Sequence, residues 1–168
     1  MLIDVSSILK EIGGRIAVSG EIGIEDTDFL GESFHFKSLT VDGDFINTGK
    51  SLIFKAHAKG LVEVSCARCR KPVVEEIEYD IEETFIQGYE GDDEDVYVFT
   101  GHEIDIDEVV YNNFFMNASG KYLCSEDCKG LCPKCGANLN LGDCGCKDDD
   151  IDPRWEKLLS MMDNTDEK

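Results

Sequence analysis

Residues 51–66 read SLIFKAHAKGLVEVSC, and their alternation decides the fold. Leu52, Phe54, Ala56, Ala58, Val62 and Val64 hold even positions, whereas Lys55, His57, Lys59, Glu63 and Ser65 hold odd ones. A period of two marks a strand with one buried face. Phe34 to Ile46 repeats the pattern more weakly, and Asn47-Thr48-Gly49-Lys50 supplies turn residues between the two, which predicts a long hairpin. Downstream, Val73, Ile77, Tyr79, Ile81 and Phe85 alternate with Glu76, Glu78, Asp80 and Glu82. Ile16, Val18, Ile22 and Ile24 mark a further strand after the Gly13-Gly14 break. The expected fold is α+β and mainly antiparallel β: a twisted or partly closed sheet with long hairpins, one or two helices and a C-terminal cysteine-rich segment.

A helix is expected near residues 106–118. Asp105 is placed to cap it, with Glu108 as the reciprocal partner, and Ile106, Val109, Val110 and Phe114 recur at helical spacing. The chain then divides into a β-rich core over 1–120, a cysteine-rich segment over 121–147 packed on that core, and an acidic linker with a short helix over 148–168. Asp152 and Pro153 open this last helix, and Trp155, Leu158, Leu159 and Met162 form its apolar face.

Eight cysteines stand in the chain: Cys66 and Cys69, then Cys124, Cys128, Cys132, Cys135, Cys144 and Cys146. Two of the intervals are C-x2-C, the turn that delivers two thiolates to one tetrahedral ion with little strain, and eight thiols suit two four-ligand zinc sites. Gly136, directly after Cys135, suits the positive φ with which such a turn closes. An even cysteine count would also satisfy a disulfide framework. The opening residues Met1-Leu2-Ile3-Asp4, which lack a charged and then apolar leader, predict instead a cytoplasmic chain with reduced thiols. Cys128, Cys132 and Cys135 show the C-x3-C-x2-C spacing of radical-SAM iron-sulfur enzymes, but those build on α/β barrel architecture, and the strand and helix patterns here do not alternate.

Three pairings stay open on spacing. The cheapest joins Cys132 and Cys135 to Cys144 and Cys146, leaving Cys66 and Cys69 for Cys124 and Cys128. Closing the 54-residue gap from Cys69 to Cys124 costs roughly 1.7 kcal/mol more than closing the 8-residue gap from Cys135 to Cys144. A structural zinc site is worth about 10 to 16 kcal/mol, so geometry can override that preference. The competitor is a ribbon of the two C-x2-C turns, with the other four cysteines as a second site. The third leaves Cys66 and Cys69 free, as a dithiol activated by Arg68, Arg70 and Lys71, and this predicts a thiol redox enzyme.

The formal charge is −20, from 36 acidic and 16 basic side chains, so the molecule as a whole repels phosphate backbones. Residues 50–71 run the other way, with six cations against Glu63 alone. Lys55, Lys59, Arg68, Arg70 and Lys71 are therefore the candidate contacts for RNA or another anion, unless cross-strand pairing with the acidic run that follows neutralises them. No apolar run approaches the roughly 20 residues that cross a membrane. His35, His57 and His102 lack a nucleophile or carboxylate at catalytic spacing, and Gly13-Gly14 lacks the Lys-Ser/Thr of a phosphate loop, so the chain is not expected to be an enzyme.

Three segments carry a resemblance: Cys66-Ala67-Arg68-Cys69, the run from Leu123-Cys124 through Cys135-Gly136 to Leu139-Asn140, and Ile151-Asp152-Pro153-Arg154. With Gly13-Gly14 and the Asn47-Thr48-Gly49 turn, they make the chain similar to the YceD family, the large ribosomal RNA accumulation proteins of bacteria and plastids. The resemblance implies a non-enzymatic cytoplasmic factor supporting ribosome assembly. Joined to the cysteine reading, it predicts a zinc-stapled adaptor holding one or two Zn2+. Its expected partner is a ribosome-assembly protein or pre-ribosomal particle, with direct ribosomal RNA contact as a candidate and no small-molecule substrate.

Overall fold

A computed structural model describes residues 1–23, 25–29, 31–88, 96–118 and 120–146. Its elements are β1 (Leu2–Asp4), β2 (Arg15–Glu21), β3 (Thr27–Phe29), β4 (Glu32–Asn47), β5 (Leu52–Ser65), β6 (Pro72–Gln87), β7 (Tyr97–Phe99), β8 (Glu103–Asp105) and α1 (Asp107–Asn117). The expected C-terminal helix at 152–162, the linker before it and Ile24 lie outside the described residues.

The hairpin read from residues 51–66 forms the centre. β4, β5 and β6 make one antiparallel meander, with Phe45 opposite Phe54 and Ala56 opposite Ile81. The strand order is β2-β4-β5-β6-β7, with β3 paired to the start of β4, and this path runs between two edges without closing into a barrel. One pairing departs from the antiparallel expectation: β7 runs parallel to β6. A separate two-stranded ribbon joins β1 to β8.

Burial follows the alternation. Leu52, Phe54, Ala58, Val62 and Val64 of β5 are buried, as are Ile77, Tyr79, Ile81 and Phe85 of β6. Removing such side chains from water is the main favourable contribution to folding, about 1.5 to 3 kcal/mol for each large one. At one end Phe45 stacks on Phe54 with centroids 4.6 Å apart, and Phe85 meets Phe45 edge-on at 5.3 Å. Gly43 lies so close to β5 that a Cβ there would overlap the Lys55 carbonyl oxygen and Ala56.

Helix α1 covers the other end. Val109, Val110 and Phe114 are buried. The Phe114 ring packs edge-on to Phe36 at 4.9 Å and to Phe34 at 5.4 Å. From the sheet the Tyr79 hydroxyl donates to the Val110 carbonyl at 2.9 Å. The expected cap is corrected: Ile106 occupies the cap position and no side chain closes a capping box. Asp105 belongs to β8, and its carboxylate instead accepts the Asp107 N–H at 3.1 Å and the amino-terminal ammonium at 3.0 Å.

Candidate metal centres

The eight cysteines gather into two groups of four, and the pairing is the local one. Cys66, Cys69, Cys124 and Cys128 make the first group; Cys132, Cys135, Cys144 and Cys146 make the second. Within each, the sulfurs all lie within 4.8 Å of one another. The ribbon that would join Cys66 and Cys69 to Cys132 and Cys135 does not form.

Both C-x2-C turns have the same backbone plan. In the first, the Arg70 N–H donates to the Cys66 carbonyl at 2.9 Å and the Cys66 N–H to the Lys71 carbonyl at 2.8 Å. In the second, Gly136 donates to Cys132 and Cys132 to Ala137, each at 2.8 Å. The residue after the second cysteine must turn left-handed: Gly136 does so at φ 72°, and Arg70 at φ 60°, where it is the one non-glycine residue of positive φ among the described residues. The first turn is the tip of the β5–β6 hairpin, directly beyond the Ser65–Pro72 pair.

Geometry fits a tetrahedral ion. Metal–sulfur bonds of about 2.3 Å set sulfur–sulfur edges of about 3.8 Å. Cys66 and Cys128 sulfurs are 3.9 Å apart and those of Cys69 and Cys124 are 3.6 Å apart, far beyond a disulfide bond. Electrostatics point the same way. Burial pushes the Cys66 thiol up, but backbone N–H groups of Cys124, Cys69 and Arg68 outweigh it and bring it down to about 6. Its neighbour Cys124 is pushed up to about 12 by its contacts with Cys128 and Cys69. In the second group, N–H groups of Cys135 and Lys134 lower Cys132 to about 7, while contact with Cys135 and Cys144 raises Cys146 to about 12. Each group thus holds some thiols low and others high: Cys66 and Cys128 are lowered beside a raised Cys124, and Cys132 is lowered beside raised Cys144 and Cys146. A divalent cation would favour the thiolate form of all four.

The two groups differ in exposure. Cys66, Cys69 and Cys128 are buried and pack with Val73 and Leu123. Cys135 and Cys146 are exposed. A residue that the resemblance run includes but that was not expected at the site joins them: Asn140, in the loop between Cys135 and Cys144, donates its side-chain amide to the Cys128 sulfur at 3.3 Å. A lone asparagine in a loop has no spacing signature that would have revealed it.

The candidate anion contacts are mostly engaged. Lys55 pairs with Glu82 at 2.6 Å and Lys59 with Glu76 at 2.8 Å, which are the cross-strand pairs that neutralise the basic run. Arg70 pairs with Glu32 at 3.1 Å. Arg68 turns its guanidinium onto the carbonyls of Glu126 and Cys128, at 3.0 and 2.8 Å, and so braces the first centre. Lys71 is exposed. No helix of the described residues is long and apolar enough to cross a membrane.

Comparison with known proteins gives these centres a context. An uncharacterised protein of Mycobacterium tuberculosis is 31% identical over 102 residues, covering 58% of this chain and 49% of the relative. An uncharacterised protein of Mycobacterium leprae is 29% identical over 105 residues, covering 58% and 46%. The chain thus spans about half the length of these curated relatives. A protein of Arabidopsis thaliana named large ribosomal RNA subunit accumulation protein YCED homolog 1, chloroplastic, is 32% identical over 66 residues, 39% of this chain and 21% of that protein. No solved structure matches. The model of one family, described as large ribosomal RNA subunit accumulation protein YceD, matches residues 54–161. That span takes in nearly all of β5, then β6, α1 and all eight cysteines, and the chain belongs to the YceD family.

Proposed function

We propose that this protein is a non-enzymatic cytoplasmic factor that supports accumulation of large-subunit ribosomal RNA, acting as a zinc-stapled adaptor in ribosome assembly. The observation that carries the reading is the collection of all eight thiols into two four-sulfur groups within the segment matched by the family. Cys66, Cys69, Cys124 and Cys128 hold one zinc ion; Cys132, Cys135, Cys144 and Cys146 hold the other. Zinc in four-thiolate sites supplies folding energy rather than chemistry. The first ion ties the β5–β6 tip to the cysteine-rich segment over 121–147, which we treat as a unit distinct from the β-rich residues before it.

A protein factor or an assembling particle suits the −20 charge better than naked RNA does. If RNA contact occurs, the exposed Lys71 leads it, and reversing Lys71 together with Lys55, Lys59, Arg68 and Arg70 abolishes salt-dependent retention on ribosomal RNA. The test of the whole reading is deletion of the gene in its host, followed by complementation. The expected result is a fall in large-subunit relative to small-subunit ribosomal RNA, restored by the native chain and not by Cys66→Ser/Cys128→Ser. Unchanged ribosomal RNA overturns it. Elemental analysis should find two zinc ions per chain, and iron would overturn the metal assignment.

The thiol-enzyme reading rests on the lowered Cys66 thiol. Its burial at 0% exposure works against attack on a disulfide. Disulfide exchange by Cys66 and Cys69 in the metal-loaded protein would establish that reading in place of ours.

A further inference from the structure

We propose that the two centres are coupled, with Asn140 as the positioning residue through which the exposed centre sustains the buried one. The inference rests on the two-zinc reading above and adds a direction to it.

Asn140 lies in a loop bounded by ligands of the second centre, and its side chain reaches the first. The loop of residues 136–143 is closed at both ends by ligands of the second group. Inside it, the Asn138 side-chain oxygen accepts the Asn140 backbone N–H at 3.0 Å and its side-chain amide at 2.9 Å. The Asn140 side-chain oxygen accepts the Lys129 N–H at 2.9 Å, which turns the opposite amide edge onto Cys128. Backbone contacts run alongside: Leu139 donates to the Gly130 carbonyl at 2.9 Å, and Leu131 bridges Asn138.

An N–H donor to a metal thiolate is the kind of outer contact whose loss weakens metal binding by about 10- to 100-fold. Exposure gives the coupling an order. A chelator or competing thiol reaches Cys135 and Cys146 directly, whereas Cys66, Cys69 and Cys128 are covered. Releasing the second ion opens the 136–143 loop, withdraws Asn140 from Cys128 and loosens the first. Linkage makes the effect reciprocal, so filling the buried centre also strengthens the exposed one.

The test is zinc competition against a chromophoric chelator, with native mass spectrometry counting ions on the full chain. Cys135→Ser/Cys146→Ser removes the exposed centre and is expected to weaken the buried one by about 10- to 100-fold. Asn140→Asp keeps the size and the acceptor oxygen but loses the donor, and should weaken the buried centre by a similar factor. Combining the three substitutions should add nothing further, because all interrupt one contact. In fully cadmium-loaded Asn140→Asp protein, whose loading reports that it is folded, the buried centre's cadmium resonance should shift and the exposed centre's should stay. A buried centre whose affinity and resonance match the native chain overturns the coupling while leaving two zinc sites intact. Fewer than two ions in the native chain overturns both.

Discussion

Arg70 and Gly136 close their two C-x2-C turns with the same left-handed backbone, at φ 60° and 72°. A side chain in that region costs about 1 to 2 kcal/mol, which glycine escapes. Gly136→Ala should therefore destabilise the metal-loaded protein by about 1 kcal/mol, with the loss appearing as faster zinc release from the exposed centre. Arg70→Gly should change stability by less than about 0.5 kcal/mol, because relief of strain is offset by a freer unfolded chain and loss of the exposed Glu32 pair. Urea unfolding of both variants checks the contrast.

Gly43 should be intolerant of any side chain. A Cβ there meets the Lys55 carbonyl and Ala56 across the β4–β5 pair, where neither neighbour is a flexible chain end. Gly43→Ala is expected to cost about 1 to 3 kcal/mol, read as a lowered urea midpoint.

Phe114→Ala removes the ring that α1 sets among Phe34, Phe36, Tyr79 and Phe115. The expected cost is about 3 to 5 kcal/mol in equilibrium unfolding.

His57 should titrate above its ordinary pKa of 6.5, chiefly because Asp80 accepts its Nδ1 proton at 2.8 Å, with Glu78 on Nε2 at 2.9 Å. Asp42 lies opposite on β4, and Lys55 and Lys59 flank it on β5. The folded value exceeds the unfolded one, so the stabilisation is fully present below about pH 6.5 and is lost as pH rises through the folded pKa. NMR titration of the ring should show the raised midpoint, and Asp80→Asn should lower it. A native midpoint at or below 6.5 refutes the assignment.

The central meander was legible because burying one face of a sheet imposes a period of two, and Leu52 to Val64 keep it with little interruption. The short strand Thr27–Phe29 and the parallel Tyr97–Phe99 were not, since three residues carry no period. Asp105 looks like a helix cap in sequence, yet strand pairing with Leu2 had already claimed it. The cysteine spacing exposed the ligand types and left their partition among alternatives, because loop entropy separates the pairings by little against the free energy of a metal site. Arg70 gave no warning of its left-handed backbone; the turn around it imposes that conformation.

Cys66 is the next even-numbered residue after Val64, so the inward side of β5 runs from apolar core into metal ligand without a change of phase. Adding or deleting one residue within β5 would turn Cys66 outward along with half the core. Between Val62 and Cys66 the hairpin can therefore change length by pairs of residues, and a single-residue indel there that no bulge absorbs, as one does at Lys37 of β4, should cost the buried centre.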